Sequence, residues 1–275
     1  METIRLGLIG DNIAASRTPD LHYAAASICG IDVKYERLVP RDLGLTFGDV
    51  VERAKQDGFR GLNITYPYKE SVLRFVTIED PVVRTLGACN TVLFGTPAIG
   101  FNTDYTGYVS AFRAQFGARS PGAVAMAGSG GVGKAVAFGL AELGAKSLAL
   151  FDIDDRKSLS LAAALQRHQG AMPVRVAASL ADACEGADAL VNCTPLGMVG
   201  YSGNAFSDIA IKGRRWIFDA VYTPIKTAFV KEAEAARVEV LSGYELFFYQ
   251  GRDAFRLFMG CDVHAGTLRR MLEEG

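Results

Sequence analysis

Gly128-Ser129-Gly130-Gly131-Val132-Gly133-Lys134-Ala135 is the stretch on which the reading of the fold turns. It follows the apolar run Ala123–Met126 and opens an alanine-rich segment, so it reads as a strand, a glycine turn and a helix. Gly128, Gly130 and Gly133 satisfy G-x-G-x-x-G. Glycines at that spacing keep the turn tight and let backbone N–H groups approach a pyrophosphate at the positive end of a helix. The same letters fit the first seven positions of the nucleotide-triphosphate loop G-x-x-x-x-G-K-[ST]. The eighth position is Ala135, which has no ligand atom for Mg²⁺, and this weighs against a nucleotide hydrolase.

The next strand candidate, Ser147–Phe151, ends in Asp152-Ile153-Asp154. Asp152 lies 19 positions past Gly133, close to the offset of about 20 expected for the acid that binds the adenine ribose diol. A carboxylate there accepts from a 2′-hydroxyl and repels a 2′-phosphate. Asp152 and Asp154 therefore favour NAD over NADP, while Arg156 and Lys157 keep NADP tolerance open. The expected cofactor contacts of the loop are Gly128, Ser129, Gly130, Gly131, Val132 and Gly133. The bland alternative is a glycine turn in an α/β protein that binds nothing.

Outward from this stretch, strand-length apolar runs alternate with helical segments, which predicts βαβ units and a mostly parallel sheet. Strands are expected at Ile4–Ile9, Val33–Leu38, Gly61–Ile64, Thr91–Phe94, Ala123–Met126, Ser147–Phe151, Val174–Val176, Ala189–Asn192, Trp216–Phe218 and Val238–Leu241. Helices are expected at Pro19–Cys29, Phe47–Gln56, Tyr105–Gln115, Gly131–Leu143, Arg156–Arg167, Lys226–Ala236 and Tyr244–Met259. Two such series imply an α/β chain of two domains. Residues 1–105 form an N-terminal substrate domain and residues 106–245 a Rossmann-type dinucleotide-binding domain. The C-terminal segment 246–275 is expected to pack back on the first domain, because its helix is apolar on more than one face.

The chain has 275 residues, long enough for two domains, and its net charge of −1 offers no bulk attraction for nucleic acid. Hydrophobic residues at 49% and charged residues at 21% fit a soluble globular protein. No apolar stretch reaches the span of a membrane helix, and the N-terminus lacks the pattern of a signal peptide. Cys29, Cys89, Cys184, Cys193 and Cys261 are scattered without a CxxC pair, which reads as five reduced thiols in a cytoplasmic protein. His22, His168 and His264 show no metal spacing, so no metal is expected. The oligomeric state stays open, a homodimer included.

Three polar segments in the first half stand where strands should end. Ser16 and Thr18 place two hydroxyls just before a helix with Pro19 at its start, and such hydroxyls suit a carboxylate. Thr18 alone reads as a helix N-cap. Lys69 follows Asn63-Ile64-Thr65-Tyr66-Pro67 at a strand's C-terminal end, where ligands of open α/β sheets bind, although a surface lysine is the commoner reading of any single one. Asp104, in Asn102-Thr103-Asp104, reads either as an N-cap or as a buried partner for Lys69. Asn90 and Thr91 add an amide and a hydroxyl.

Together these segments resemble the shikimate dehydrogenase family. The resemblance rests on Ser16-x-Thr18-Pro19-x-x-His22, Asn63-Ile64-Thr65-x-Pro67-x-Lys69, Gly87-Ala88-x-Asn90-Thr91 and Gly100-x-Asn102-Thr103-Asp104-x-x-Gly107. It continues through Asn192-Cys193-Thr194-Pro195-Leu196-Gly197-Met198, Asp219-Ala220-Val221-Tyr222-Thr223-Pro224 and Gly243 followed by Gln250. The resemblance implies a catalytic pair, Lys69 and Asp104, that holds and relays a hydroxyl proton while a hydride passes to the nicotinamide. By the same carry-over Ser16 and Thr18 hold a substrate carboxylate, and Thr65, Asn90, Asp104 and Gln250 bond ring hydroxyls. Tyr222 lies near the substrate, and Thr194, Val221 and Gly243 meet the cofactor. The implied substrate is shikimate, quinate or a close analogue bound between hinged domains.

Three departures stand out. Biosynthetic members usually read His-Ser-x-Ser-Pro where this chain has Ala15-Ser16-Arg17-Thr18-Pro19, and NADP-using members usually carry Asn-Arg-Thr where it has Asp152-Ile153-Asp154. Leu246-Phe247 replaces the usual Met-Leu. These departures point to an NAD-using catabolic member or to a paralogue acting on an amino-substituted acid. A non-catalytic NAD-binding regulator is the competing reading, against which Lys69 and Asp104 both stand.

Overall fold

A computed structural model describes residues 3–168 and 172–274. Residues 1–2, 169–171 and 275, which fall within the expected domain ranges, lie outside the described residues. The chain divides into two compact units, Met1–Thr103 with Gln250–Gly275, and Asp104–Tyr249.

The first unit begins with β1 (Ile4–Ile9), α1 (Thr18–Cys29), β2 (Val33–Leu38), α2 (Pro40–Leu43), α3 (Phe47–Gln56) and β3 (Gly61–Ile64). A 3₁₀ turn at Ser71–Phe75, α4 (Pro81–Leu86), β4 (Thr91–Leu93) and β5 (Ile99–Phe101) follow. Then α5 (Thr103–Phe116) leads into the second unit. That unit runs β6 (Ala123–Ala127), α6 (Gly131–Glu142), β7 (Ser147–Phe151), α7 (Asp155–Arg167), β8 (Val174–Val176), α8 (Leu180–Cys184), β9 (Ala189–Asn192), β10 (Trp216–Asp219), α9 (Ala228–Ala235) and β11 (Glu239–Ser242). Last come α10 (Gly243–Met259), which crosses from the second unit to the first between Tyr249 and Gln250, and α11 (Ala265–Glu274).

In the first unit the sheet order is β2-β1-β3-β4-β5. β1 runs parallel to β2 and β3, but β4 is antiparallel to β3 and β5 to β4. The expectation of a mostly parallel arrangement thus gives way at this edge. The link from β4 to β5 is too short for a helical crossover, so the chain turns back as a hairpin. One face is covered by α3, whose start is fixed by a capping box of Thr46 and Asp49. Its apolar residues Phe47, Val50, Val51 and Ala54 recur at helical spacing and pack with Phe59, Leu62, Ile64 and Val92. On β3, Gly61 has no room for a side chain, because a Cβ would fall 2.4 Å from Phe258 of α10. The C-terminal helices therefore lie close against this unit's sheet, with α11 packed on α1 and the Arg17 guanidinium donating to the Leu272 carbonyl.

That packing corrects the reading of five reduced thiols. Cys29, at the end of α1, is joined by a disulfide to Cys261, just beyond α10. The partners are 232 positions apart, so local spacing carries no trace of the pair. Cys89, Cys184 and Cys193 are free thiols.

The second unit is a wholly parallel six-stranded sheet, β11-β10-β9-β6-β7-β8. Counted from its own first strand this is the order 3-2-1-4-5-6 read from the far edge, the arrangement of dinucleotide-binding sheets, with its switch point between β6 and β9. Strands buried on both faces explain the unbroken apolar runs AVAMA, SLALF and ALVN. Trp216 is fully buried in β10, and its indole N–H donates to the Pro121 carbonyl at 3.0 Å. No helix among the described residues is long and apolar enough to cross a membrane.

Candidate functional site

The sequence-predicted residues of the first unit gather where β1 and β3 end and where β4 begins. Ser16 and Thr18 follow β1. The Ser16 hydroxyl donates to Thr18 Oγ1 at 3.0 Å and accepts from the Thr18 N–H at 3.3 Å. Helix α1 opens at Thr18 itself, so the reading of Thr18 as an N-cap is corrected. Ser16 supplies the oxygen at that turn, and Arg37 donates to the Ser16 carbonyl at 2.8 Å. Thr65 and Lys69 follow β3. The Thr65 N–H donates to the Ile9 carbonyl and the Lys69 carbonyl accepts from Cys89, which fastens both segments to their neighbours.

Asn90 is the hub of this cluster. It is buried, its backbone joins β3 to the strand region of Phe101, and its side-chain oxygen accepts from the Thr103 N–H at 2.7 Å. The same oxygen lies 3.1 Å from the hydroxyls of Thr91 and Thr103. The Thr103 hydroxyl also reaches Gln250 Oε1 at 3.4 Å. Behind them, Tyr35 donates to Asn63 Oδ1 at 2.8 Å, and the Asn63 amide donates to Thr91 at 3.3 Å. Most buried polar groups are hydrogen-bonded, and here each bond fixes the next amide or hydroxyl. Asn63, Thr91 and Thr103 stood in the motifs but not among the expected site residues, and Tyr35 went unread. A polar Asn63 within the apolar β3 was the available signal; nothing in sequence marked Tyr35.

His22 closes the back of this cluster. It is fully buried and stacks on Tyr35 at 4.9 Å, with Phe255 and Phe258 on other sides. Burial drives its imidazole pKa down to about 3, against an opposing contribution from Asn63, so the ring is neutral.

In the second unit Asp104 is buried in the first turn of α5, which opens at Thr103. The alternative that Asp104 is the N-cap is thereby corrected, since it lies one residue inside the helix. The glycine loop sits at the switch point. Gly128 has φ +95°, and a Cβ there would fall 2.6 Å from Cys193 at the end of β9. A Cβ on Gly133 would fall 2.3 Å from the Gly128 carbonyl oxygen. Gly130 faces open space and stands at the N-cap of α6 without a side-chain cap. The first N–H groups of α6 thus face outward from a cradle without side chains, which fits a pyrophosphate. Ala135 is buried with only a methyl group, so a metal-bound triphosphate finds no hydroxyl here. Among the described residues no group of three His, Cys, Asp or Glu side chains is placed to hold a metal ion.

The two acids after β7 have different jobs. Asp152 clasps the loop, accepting from the Ser129 N–H at 2.7 Å through one oxygen and from the Asp154 N–H at 2.9 Å through the other. Ser129 is therefore a structural member of the loop, with its N–H on Asp152 and its hydroxyl 3.1 Å from that of Ser158. Asp154 caps α7 and holds Arg156.

The remaining expected contacts follow β9 and β10. The Asn192 side-chain oxygen accepts from the N–H and hydroxyl of Thr194, and its amide donates to Asp219 at 2.9 Å. Asp219 also receives Thr227 at 2.5 Å and the Val221 N–H at 3.1 Å. Burial pushes the Asp219 carboxyl upward while these donors oppose the shift. Val221 and Thr194 are thus set by one buried carboxylate and one amide that sequence reading quoted without assigning a role. Tyr222 stacks on Phe247 at 5.3 Å. Gly243 passes so near Ala220 that a Cβ would fall 2.4 Å from its carbonyl oxygen.

Comparison with known proteins agrees with both halves. A family model described as the shikimate dehydrogenase substrate binding domain matches residues 8–92. A quinate/shikimate dehydrogenase (NAD(+)) of Corynebacterium efficiens is 36% identical, with 98% of this chain and 97% of the relative covered. A shikimate dehydrogenase (NADP(+)) of Pseudarthrobacter chlorophenolicus is 35% identical, with 98% and 94% covered. Among solved structures, quinate dehydrogenase from Corynebacterium glutamicum in complex with NAD matches with a TM-score of 0.89 at 34% identity, covering 99% of each chain. With its motifs in order and relatives of this identity matched over nearly their whole length, the chain belongs to the shikimate dehydrogenase family.

Proposed function

We propose that this chain is an NAD-dependent dehydrogenase that interconverts a ring hydroxyl of shikimate, quinate or a close analogue with the corresponding ketone. The observation that carries the cofactor reading is the Asp152 carboxylate, which clasps the glycine loop at the end of β7 where an adenine ribose would offer its hydroxyls. The first unit, through Asn90, Thr65 and Gln250, is the hydroxyl-reading half. Ser16 and Thr18 are the carboxylate-holding pair, their hydroxyls now satisfied by each other and able to turn to a ligand.

Bound NAD supplies the hydride acceptor. Lys69 takes up the hydroxyl proton as the hydride leaves, and Asp104 is an acceptor for a ring hydroxyl. Asn90 cannot rotate freely, because its oxygen is held by Thr103, so it presents its amide N–H₂ to a hydroxyl in one orientation. In the second unit Gly130, Gly131 and Val132 offer N–H groups to the pyrophosphate, and Thr194, Val221 and Gly243 border the nicotinamide end.

The test is turnover by the purified protein with NAD and either quinate or shikimate, followed by NADH absorbance. Turnover with either substrate supports the reading, and the ratio of the two kcat/KM values names the preferred ring. No turnover with either, or a higher kcat/KM with NADP than with NAD, defeats it.

A further inference from the structure

The acid pair after β7 carries more than a preference for NAD. Both oxygens of Asp152 are committed to backbone N–H groups, so this carboxylate is fixed in place. Asp154 is committed differently. Its Oδ1 accepts from Arg156 Nε at 2.9 Å and from the Arg156 N–H at 3.2 Å, and its Oδ2 accepts from Arg156 Nη2 at 3.1 Å. The guanidinium is held fork on fork, and Asp154 is its one acceptor among the described residues. The Arg156 side chain is 89% exposed and that of Asp154 30%, so the pair stands at the surface just past the ribose-binding carboxylate.

An arginine near the ribose-binding acid accommodates an adenosine 2′-phosphate in dinucleotide-binding folds, and Arg156 lies four residues past Asp152. This chain therefore contains the donor that NADP requires and holds it on a neighbouring acid. Building on the reading of the second unit as an NAD cradle, we propose that Asp154 is a specificity-determining residue that withholds Arg156 from a 2′-phosphate. The sequence expectation that Asp154 touches the cofactor is replaced by an indirect role, in which it acts through Arg156.

Two effects combine. A 2′-phosphate must break the fork to recruit Arg156, and it then faces the freed Asp154 carboxylate as well as Asp152. An exposed ion pair alone is worth less than about tenfold in affinity, so the pair biases the choice and does not forbid NADP. The Asp154 carboxyl is held below its usual range mainly by its bond to Arg156, so the pair is fully charged at neutral pH. Asn at 154 still accepts from the Arg156 N–H and keeps the start of α7 capped, which separates the charge effect from unfolding.

The experiment is a titration of NAD and NADP by isothermal calorimetry with wild type, D154N, R156A and the double variant, with thermal midpoints recorded for each. The ratio Kd(NADP)/Kd(NAD) is expected to fall about tenfold in D154N and to return to the wild-type ratio in the double variant. R156A alone, which leaves the Asp154 carboxylate unpaired, is expected to weaken NADP and to leave Kd for NAD within about threefold. An unchanged ratio in D154N overturns the inference. A gain that survives R156A also overturns it, because loss of negative charge alone would then suffice. If wild type binds no NAD, the cradle reading itself falls and takes the inference with it.

Discussion

The polar centre of the first unit and the glycine cradle of the second solve recognition in opposite ways. Around Asn90 the proposed binding surface is made of side chains that fix one another, from Tyr35 through Asn63, Thr91 and Thr103 to Gln250. At Gly128–Gly133 it is made of backbone, and side chains matter by their absence. Hydroxyls on a ring are distinguished by direction, so their reader must be rigid and fully bonded. A pyrophosphate is recognised by charge and close approach, so its reader must be bare. A substitution in the first unit should therefore alter chemistry or substrate affinity, and one in the second should alter dinucleotide affinity.

The largest expected effect tests that division at its sharpest point. Lys69→Ala should lower kcat by on the order of a thousandfold, while Kd for NAD by calorimetry stays within about twofold, the scale of roughly 0.4 kcal/mol. Comparable activity in this variant would remove Lys69 from the chemistry. The mirror case is Gly133→Val. Its side chain must displace the Gly128 carbonyl, so NAD affinity should fall about a hundredfold, roughly 2.7 kcal/mol. Unchanged NAD binding would mean that the loop is only a turn.

Asn90→Ala comes next. It leaves the buried Thr103 N–H without its acceptor, and should cost about 2 kcal/mol of stability in urea unfolding while raising KM for the ring substrate. A variant with wild-type stability would show that the cluster is a loose collection and not an interlocked one. Asn90→Asp, which keeps the acceptor oxygen for Thr103 and loses the amide donor, should restore most of the stability but not the KM.

The last test reads the first unit through pH. The His22 pKa is about 3 when folded and about 6.5 when exposed. Between those values the unfolded chain binds the extra proton. The contribution of neutral His22 is therefore complete above pH 6.5 and is lost as pH falls toward 3, by up to about 1.4 kcal/mol per pH unit. His22→Phe keeps an aromatic ring among Tyr35, Phe255 and Phe258 and removes the titration. Its urea midpoint should vary less steeply across that window than the wild-type midpoint does. Equal slopes would show that the imidazole is hydrated in the folded state.

Legibility followed the same division. Gly128, Gly130, Gly133 and Asp152 were readable because their roles depend on local spacing along one strand, turn and helix. Ser16, Thr65, Lys69 and Asn90 were individually bland, and became legible only as an ordered set resembling a family. The misreadings share one cause. Thr18 was read as a helix cap and Asp104 as a cap or a buried partner for Lys69, but each sits just inside its helix, because cap positions depend on a turn geometry that residue type alone does not specify. The strand at β4 was expected, but its antiparallel direction and the whole of β5 escaped, because three-residue strands give too short a pattern to reveal either.

The sequence by itself determined the α/β class, the parallel sheet of the second unit, its glycine turn and the presence of an acid just after β7. These follow from periodicity, glycine spacing and residue chemistry, all of which are local. Only the tertiary structure decided which of two neighbouring acids clasps the loop and which restrains Arg156. It alone tied Asn90 to Tyr35 through a chain of buried bonds, and closed Cys29 on Cys261. The physical reason is that a hydrogen bond or a disulfide depends on distance and direction in space. Residues far apart along the chain acquire those only after strands and helices have packed.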